Sequence, residues 1–443
     1  MNQTMLKSTG SAPQPEPMAR SSIRPVAKSG QRPGGHVEII DAALPLIFGL
    51  QLFKAQEELA IGLLLIWLAA RLVLQAWRQR SEPAPWALVL LGLLLVNMRV
   101  ILFGEESAPS GPSDFLLITL GLAAGFERSD TAWRTSLQCI GMASVTVSLV
   151  LLLYWPGSLS LGIGLEEILS KNRLGLGGLN RLATLAMLFS LAAAYGGLLE
   201  SKVWRRWSLV GASLLGYALC LRTESRLAML APPLAMGLAY LIPRLRSRVG
   251  WSRTLAICLA GCGALAAMMA FWWFQLASDN RVNLASDLGR LEAARCWSAI
   301  SLSGHNRFLL GIGFGDRARD FCAKATAYAR GSDWHPMGHA HNTLAQILGE
   351  TGTLGLLAVV LLLVVLVLAL IGRLNQQGTA IPWGWRGISL TEAALGLNLL
   401  LLFNVITTTV HLSNPASQCL IGYLSATAFW ARQPDHPDAL SHS

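Results

Sequence analysis

The sequence predicts an all-α integral membrane protein with about twelve transmembrane helices. Three observations predict it. Of 443 residues, 53% are hydrophobic and only 14% charged, too apolar for an ordinary soluble enzyme of this length. Apolar runs able to cross a hydrocarbon layer of about 30 Å recur along most of the chain. Basic residues gather in alternate loops, as the positive-inside bias requires.

The apolar runs lie at 39–53, 59–77, 86–103, 113–126, 135–155, 180–199, 207–221, 227–243, 254–276, 343–372, 388–410 and 415–431. The first is interrupted by Glu38, Asp41 and Pro45, and a re-entrant or interfacial segment would read the same way. Residues 37–431 therefore form one polytopic domain, preceded by a tail at 1–36 and followed by one at 432–443. The first tail is rich in Ser, Pro, Gly and basic residues and reads as disordered. A polar stretch of more than thirty residues before the first apolar run does not read as a cleavable signal peptide.

The formal net charge of +10 raises the question of a polyanionic partner. The placement of the charges answers it. Lys7, Arg20, Arg24, Lys28 and Arg32 precede the first run. Arg78 and Arg80, Arg128 and Arg134, Lys202, Arg205 and Arg206, Arg244 to Arg253, Arg373 and Arg386, and finally Arg432 follow every second run. The excess is topology, placing both termini in the cytoplasm and calling for membrane lipid, not nucleic acid, as the surroundings.

Five cysteines, Cys139, Cys220, Cys258, Cys262 and Cys419, lie in apolar runs and read as small packing residues. Cys258 and Cys262 are one turn apart but have no histidine or carboxylate neighbours to complete a metal site. Cys296 and Cys322 fall in the long polar loop at about 277–341, where a disulfide is open but not demanded by the spacing. That loop holds two stretches of helical periodicity, "DLGRLEAARCWSAI" and "DRARDFCAKATAYAR", with Leu288, Leu291, Ile300, Phe321 and Tyr328 as expected buried positions. It reads as an ordered cap on the outer face, and loops of this length inside compact domains carry function.

The chemistry-bearing residues collect at that face. In "GHAHNTLAQILGETGTLGLL", Asn342, Gln346 and Glu350 recur every four residues, which predicts one polar stripe descending about 12 Å along a helix into the membrane. Such groups are expensive there; helix capping by Asn342 and pairing of the others with neighbouring helices is the plain reading, and substrate contact the functional one. Gly349, Gly352 and Gly355 read as close helix packing. His341 stands at the mouth of the stripe, with a side chain able to accept a proton from a hydroxyl near working pH. Arg222 and Arg226, in "RTESR", share a face if the preceding helix continues, and guanidinium groups grip phosphate oxygens in a fork. Arg290 and Arg295 in the cap could add positive charge, or could be solvated charges on an amphipathic helix. His335, His339 and His341 with Asp333 are enough ligands for zinc. Gly311, Gly313 and Gly315 in "LLGIGFGD" have no strand and helix framing them as a dinucleotide site would, and read as a turn.

At "HNTLAQILGETGTLG" the chain resembles the O-antigen ligase and O-antigen polymerase superfamily: His341, Asn342, Gly352, Gly355 and Leu356 fall on its signature. The resemblance takes in "NRLATLAMLF" from Asn180, "TESRLAML" around Arg226, "GRLEAARCW" around Arg290 and "FLLGIGFGD", and so covers roughly 170–370. It implies the multi-helix architecture of lipid-linked-sugar glycosyltransferases of the GT-C kind, in the bacterial inner membrane with the active site facing the periplasm. The implied reaction is an inverting glycosyl transfer from undecaprenyl pyrophosphate to lipid A-core, or to a second lipid-linked glycan for a polymerase of O-antigen or exopolysaccharide. In that reading Arg226 and Arg290 hold the donor pyrophosphate and His341 serves the acceptor hydroxyl. Arg222, Arg295, His339, Asn342, Gln346 and Glu350 are the further substrate contacts, and neither metal nor cofactor is needed. Trp297 lies seven residues after Arg290 instead of about four, which leaves the choice between Arg290 and Arg295 open. A reading from another class is a secondary transporter or lipid flippase, which Arg99 within a span would suit.

Overall fold

The computed structural model describes residues 40–51, 57–78, 84–103, 113–126, 128–154, 179–223, 225–278, 284–313, 320–322, 340, 342–376, 388–407 and 415–430. Its regular elements are helical: α1 (Leu44–Leu50), α2 (Glu57–Arg78), α3 (Ala84–Phe103), α4 (Ser113–Gly125), α5 (Asp130–Tyr154), α6 (Leu179–Leu198), α7 (Val203–Arg222), α8 (Arg226–Ser278), α9 (Leu284–Leu302), α10 (His305–Leu310), α11 (Thr343–Gln376), α12 (Leu390–Thr407) and α13 (Pro415–Ser425). A 3-10 turn, Ala426–Phe429, ends the last.

Among the described residues, four segments are long and apolar enough to cross a membrane: Glu58–Trp77, Asp130–Leu151, Leu227–Gly261 and Thr343–Gln376. Shorter apolar helical stretches occur at Pro85–Leu94, Leu116–Gly125, Leu182–Leu198 and Leu390–Val405. Of the first expected span, residues 40–51 are described, and a turn at 42–43 interrupts their helix. Asp41 is buried before a turn, Pro45 sits in the first turn of α1, and the seven residues of α1 rise only about 10 Å. The expected spans at 227–243 and 254–276 are the two arms of α8, parted by Gly250, whose φ of +79° breaks the helix in the basic turn between them.

Small residues set how closely the helices approach. A methyl on Gly141 of α5 would stand 2.5 Å from the Cα of Ala193 on α6, and one on Gly216 of α7 would stand 3.1 Å from the Cα of Ser190. Gly121 on α4 and Gly422 on α13 face the backbones of Cys419 and Ile118, so these two helices touch main chain to main chain. Around these contacts lies one continuous apolar core that includes Trp133, Phe48, Phe189, Leu137 and Ile140. Phe48 meets Phe189 at 4.9 Å between ring centroids, which fastens α1 to α6.

Polar contacts between helices concentrate at one end of the bundle. Asp41, fully buried, pairs with Arg71 and Arg128 and accepts hydrogen bonds from Trp67 Nε1 at 3.1 Å and from the Ser136 hydroxyl. Arg134 Nη1 donates to the Leu199 carbonyl at 2.9 Å, and Arg206 Nη2 to the Glu200 carbonyl at 2.7 Å. Arg244 pairs with Glu392, Arg246 donates to the Leu374 carbonyl, and Arg373 to the Trp430 carbonyl. Four of these arginines, Arg134, Arg206, Arg246 and Arg373, donate to carbonyls at or just past helix C-termini, where the helices' own N–H groups do not reach. The partners also fix direction: α1 runs parallel to α5, since Asp41 faces Ser136 and Gly49 faces Thr146, whereas α8 meets α12 head to tail through Arg244 and Glu392.

At the opposite end a second, much smaller core gathers Trp297, Ile300, Cys322, Ala340 and Ala345. It draws on α9, on residues 320–322, on Ala340 and on the N-terminal arm of α11, with Ile312 packed against it. Cys296 on α9 and Cys322 form a disulfide across 26 residues of sequence. By the chain-entropy account a loop of that size is stabilised by about 3.5 kcal/mol, a large share of what so small a core needs. Cys220 and Cys419 are buried packing residues.

Candidate active site

The polar stripe of Asn342, Gln346 and Glu350 lies on one helical arm, as the spacing predicts, but the expected span at 343–372 is not one continuous helix, and this corrects the sequence expectation. α11 breaks at Gly352, with φ +67° and ψ −164°, so Thr343–Thr351 is a separate arm and residues 353–376 make the long apolar one. A residue with positive φ ends a right-handed helix and favours glycine because a Cβ would meet the following carbonyl. The break frees the carbonyls of Gly349 and Glu350, which the helix would otherwise pair with Thr353 and Leu354. Ile312 N–H donates to Gly349 O at 2.9 Å and Gly313 N–H to Glu350 O at 3.0 Å. Thr353 Oγ1 closes the other side, donating to Phe308 O at 2.8 Å. The glycine-rich turn after α10 therefore clasps the elbow of α11, with Gly311 at φ +67° and Gly313 at φ +95°; the expectation of a turn there is met, and Gly315 lies outside the described residues.

Within the arm the sequence-predicted residues have defined partners. Asn342 is its N-cap: its Oδ1 accepts the Ala345 N–H at 3.0 Å. Gln346 Nε2 donates to Glu350 Oε1 at 3.2 Å, and both side chains are buried, 6% and 5% exposed. Among the described residues Gln346 Oε1 has no hydrogen-bond partner, an unusual state for a buried amide. Gly349 is the close-packing glycine that the spacing predicts: a methyl there would stand 2.8 Å from the Trp297 carbonyl of α9. Gly352 is a close-contact glycine too, a methyl there standing 2.5 Å from the Leu309 carbonyl, and it is also the break itself.

α9 carries two of the candidate cations. Ile300 is fully buried at its base, as expected, while Arg295 is exposed. Arg290 lies on the same helix, its side chain outside the description, as are those of Leu288 and Leu291. Arg307 on α10, not singled out from the sequence, stacks over Phe321 at 5.6 Å. The long-loop reading as an ordered cap holds for α9, α10 and residues 320–322. Tyr328, His335 and Asp333 lie outside the described residues, as do His339 and His341.

Arg222 and Arg226 do not share one helix. α7 ends at Arg222, where the C-cap Thr223 turns its hydroxyl onto the Cys220 carbonyl at 2.8 Å, and α8 begins at Arg226 after Ser225, whose carbonyl accepts the Met229 N–H at 3.0 Å. The turn between them is short, so the two residues flank it. The start of α8 is braced by its prolines: Pro233 has no N–H for the Met229 carbonyl, and the Tyr217 hydroxyl donates to that oxygen at 2.9 Å instead. Arg222 is half-buried at the C-terminus of α7, where the helix dipole favours a cation. The side chain of Arg226 lies outside the description. Because α7, α8 and α11 have Arg206, Arg244 and Arg373 near their arginine-laced ends, the 222–226 turn and the start of α11 fall at the other end together.

From the arm an apolar groove of roughly 350 Å³ runs along α11. Thr343 and Ile347 line its mouth, and Leu374, Trp251 and Leu255 its far end. Its walls are mostly Leu, Ile and Val from α3, α4, α8, α12 and α13, with the uncharged polar groups of Thr119, Asn398 and Ser425 and no charged side chain among the lining residues. The segment from residue 353 to residue 374 rises about 32 Å, so the groove is as long as a hydrocarbon layer is thick.

Residues 211–360 match the family model described as O-antigen ligase. No curated protein matches the chain. The matched stretch opens in α7, takes in α8 and the cap, and closes just past the elbow, so the elbow, the clasp and the 222–226 turn all fall inside it.

Proposed function

Since residues 211–360 belong to the O-antigen ligase superfamily, we propose that this protein is an O-antigen ligase-like glycosyltransferase of the bacterial inner membrane. It moves a glycan from undecaprenyl pyrophosphate to a lipid A-core acceptor at the periplasmic face, with both termini in the cytoplasm. The acceptor hydroxyl oxygen attacks the anomeric carbon, the bond from that carbon to the phosphate oxygen breaks, and lipid pyrophosphate leaves. Arg226 and Arg290 offset the charge that builds on the leaving pyrophosphate, with Arg222 and Arg295 nearby. His341 takes the hydroxyl proton, with His339 beside it in sequence. Asn342, Gln346 and Glu350 hold the arm on which the histidine segment ends.

The observation that carries this reading is the junction of the elbow with the groove. A docked polar arm, joined to the helix that bears the candidate cations, sits at the mouth of a long uncharged channel, which suits a charged headgroup on a single long apolar chain. A transporter would place its polar site near the midplane, in a cavity open to alternate sides. The arginine-laced end, which coincides with the basic loops, supports a cytoplasmic placement of that end and a periplasmic one for the cap.

The test is transfer by purified protein in nanodiscs, given a lipid-pyrophosphate glycan and lipid A-core as sole acceptor. Product joined to lipid A-core supports a ligase; extension of the lipid-linked glycan alone marks a polymerase. Transfer unaffected by both His341→Ala and Arg226→Ala would overturn the assignment of these residues.

A further inference from the structure

Among the described residues, the core of the cap is five buried side chains, and one of them, Cys322, is half of the disulfide with Cys296. The sequence between these cysteines contains the end of α9, all of α10 and the Gly311–Gly313 turn. That turn supplies the two backbone donors that receive the freed carbonyls of the α11 elbow. The covalent ring therefore encloses every described contact by which the cap grips α11 from its own main chain. The bundle below rests instead on a core continuous through α1 to α8 and α11 to α13, in which Cys220 and Cys419 are buried as packing residues. Cys296 is half-buried and Cys322 buried.

We propose that the Cys296–Cys322 disulfide is a redox switch on the cap. Oxidised, it keeps α9 and the glycine turn docked on the arm of α11; reduced, it releases them while the membrane bundle stays folded. The step is a two-electron exchange with a dithiol. A thiolate of the reductant attacks one sulfur, the Cys296–Cys322 bond breaks, the second reductant sulfur closes a cyclic disulfide, and two cysteine thiols take up the protons. Loss of glycosyl transfer on reduction rests on the function proposed above; the undocking does not.

Full-length protein in nanodiscs is treated with dithiothreitol, and mass spectrometry establishes two new thiols at Cys296 and Cys322. Amide exchange is then read in peptides from 292–313 and 343–351, with α4 and α13 as the internal reference, and glycan transfer is measured in parallel. We expect exchange in the cap to rise by roughly tenfold or more, as opening of a small stapled core implies, with the reference unchanged. Transfer should fall in step and return on reoxidation. Cap exchange that stays as slow in the reduced protein overturns the proposal, whatever transfer does. Faster cap exchange with no transfer in either redox state would sustain the switch and count against the transferase reading instead. Cys296→Ser with Cys322→Ser should match the reduced protein and lose its response to dithiothreitol; if that variant does not accumulate, the reduced parent protein decides alone.

Discussion

Gly352 and Gly311 face each other across the elbow of α11, main chain against main chain. A methyl on Gly352 would lie 2.5 Å from the Gly311 nitrogen, and one on Gly311 would lie 2.6 Å from the Thr351 nitrogen. Both also hold φ near +67°, where an L side chain is strained. Gly352→Ala is therefore expected to destabilise the elbow by about 1–3 kcal/mol from strain alone, before the clash with the opposite backbone is added. The check is glycan transfer together with amide exchange at residues 311–313, which should lose protection. A neutral Gly352→Ala would mean that the elbow is not clasped as described.

Gln346 and Glu350 form a buried couple on the arm, and among the described residues only one end of the amide is engaged. Glu350→Gln keeps the shape and removes the charge; Gln346→Leu removes the donor and leaves Glu350 without it. Breaking a hydrogen bond to a charged group is expected to cost about 1.5–3 kcal/mol, so Gln346→Leu should be the less stable variant. Thermal unfolding of the two proteins side by side measures the order, and the reverse order would count against a charged Glu350.

His341→Ala is expected to slow transfer by about 10²–10⁴-fold, the range for a general base. Arg226→Ala should act through the leaving group, so its deficit should shrink with a donor whose leaving group is intrinsically better. Initial rates with two donors differing only in that group distinguish the roles. Equal deficits with both donors would remove Arg226 from the pyrophosphate.

Arg244 and Glu392 are both buried and tie α8 to α12, and Glu392 also closes a capping box with Ser389, accepting that residue's N–H at 2.7 Å. Removing either partner leaves a buried charge, so Arg244→Met and Glu392→Leu should each cost about 3–5 kcal/mol. The double variant should cost clearly less than the two singles added, since no lone charge is left behind. Chemical unfolding in a double-mutant cycle reads the coupling. Additive losses would show that the two side chains do not act as a pair.

Asp41 is the sole described carboxylate paired to both Arg71 and Arg128. Asp41→Asn preserves acceptor positions but leaves two buried cations facing each other. It should destabilise the protein more than Ser136→Ala, which deletes one donor, typically worth about 1 kcal/mol. Unfolding midpoints of these two variants decide it.

Much of this architecture is legible in the residues. Apolar length finds α2, α5 and α11, because a helix in hydrocarbon must satisfy its own backbone and leaves an unbroken apolar run. The same rule fails for α1, where Asp41 is withdrawn from solvent by arginines more than two dozen residues away that a linear window cannot see. At the site, spacing correctly makes Asn342 a cap and Gly349 a packing residue. It misses the break at Gly352, because the three glycines at intervals of three look alike until the turn at 311–313 is known to lie against one of them. Arg222 and Arg226 would share a face only if the helix before them continued, and Thr223 ends that helix, as the separate apolar runs at 207–221 and 227–243 already imply.

The arginine-laced end has a mechanical consequence. With Asp41, Glu392 and the carbonyls of Leu199, Leu374 and Trp430 all fastened at one level, the helices pivot from a fixed base, and thermal splaying grows with distance from it. The largest excursions then fall at the opposite end, where the transfer proposed above would bring its lipid-linked substrates in and out without loosening the foundation.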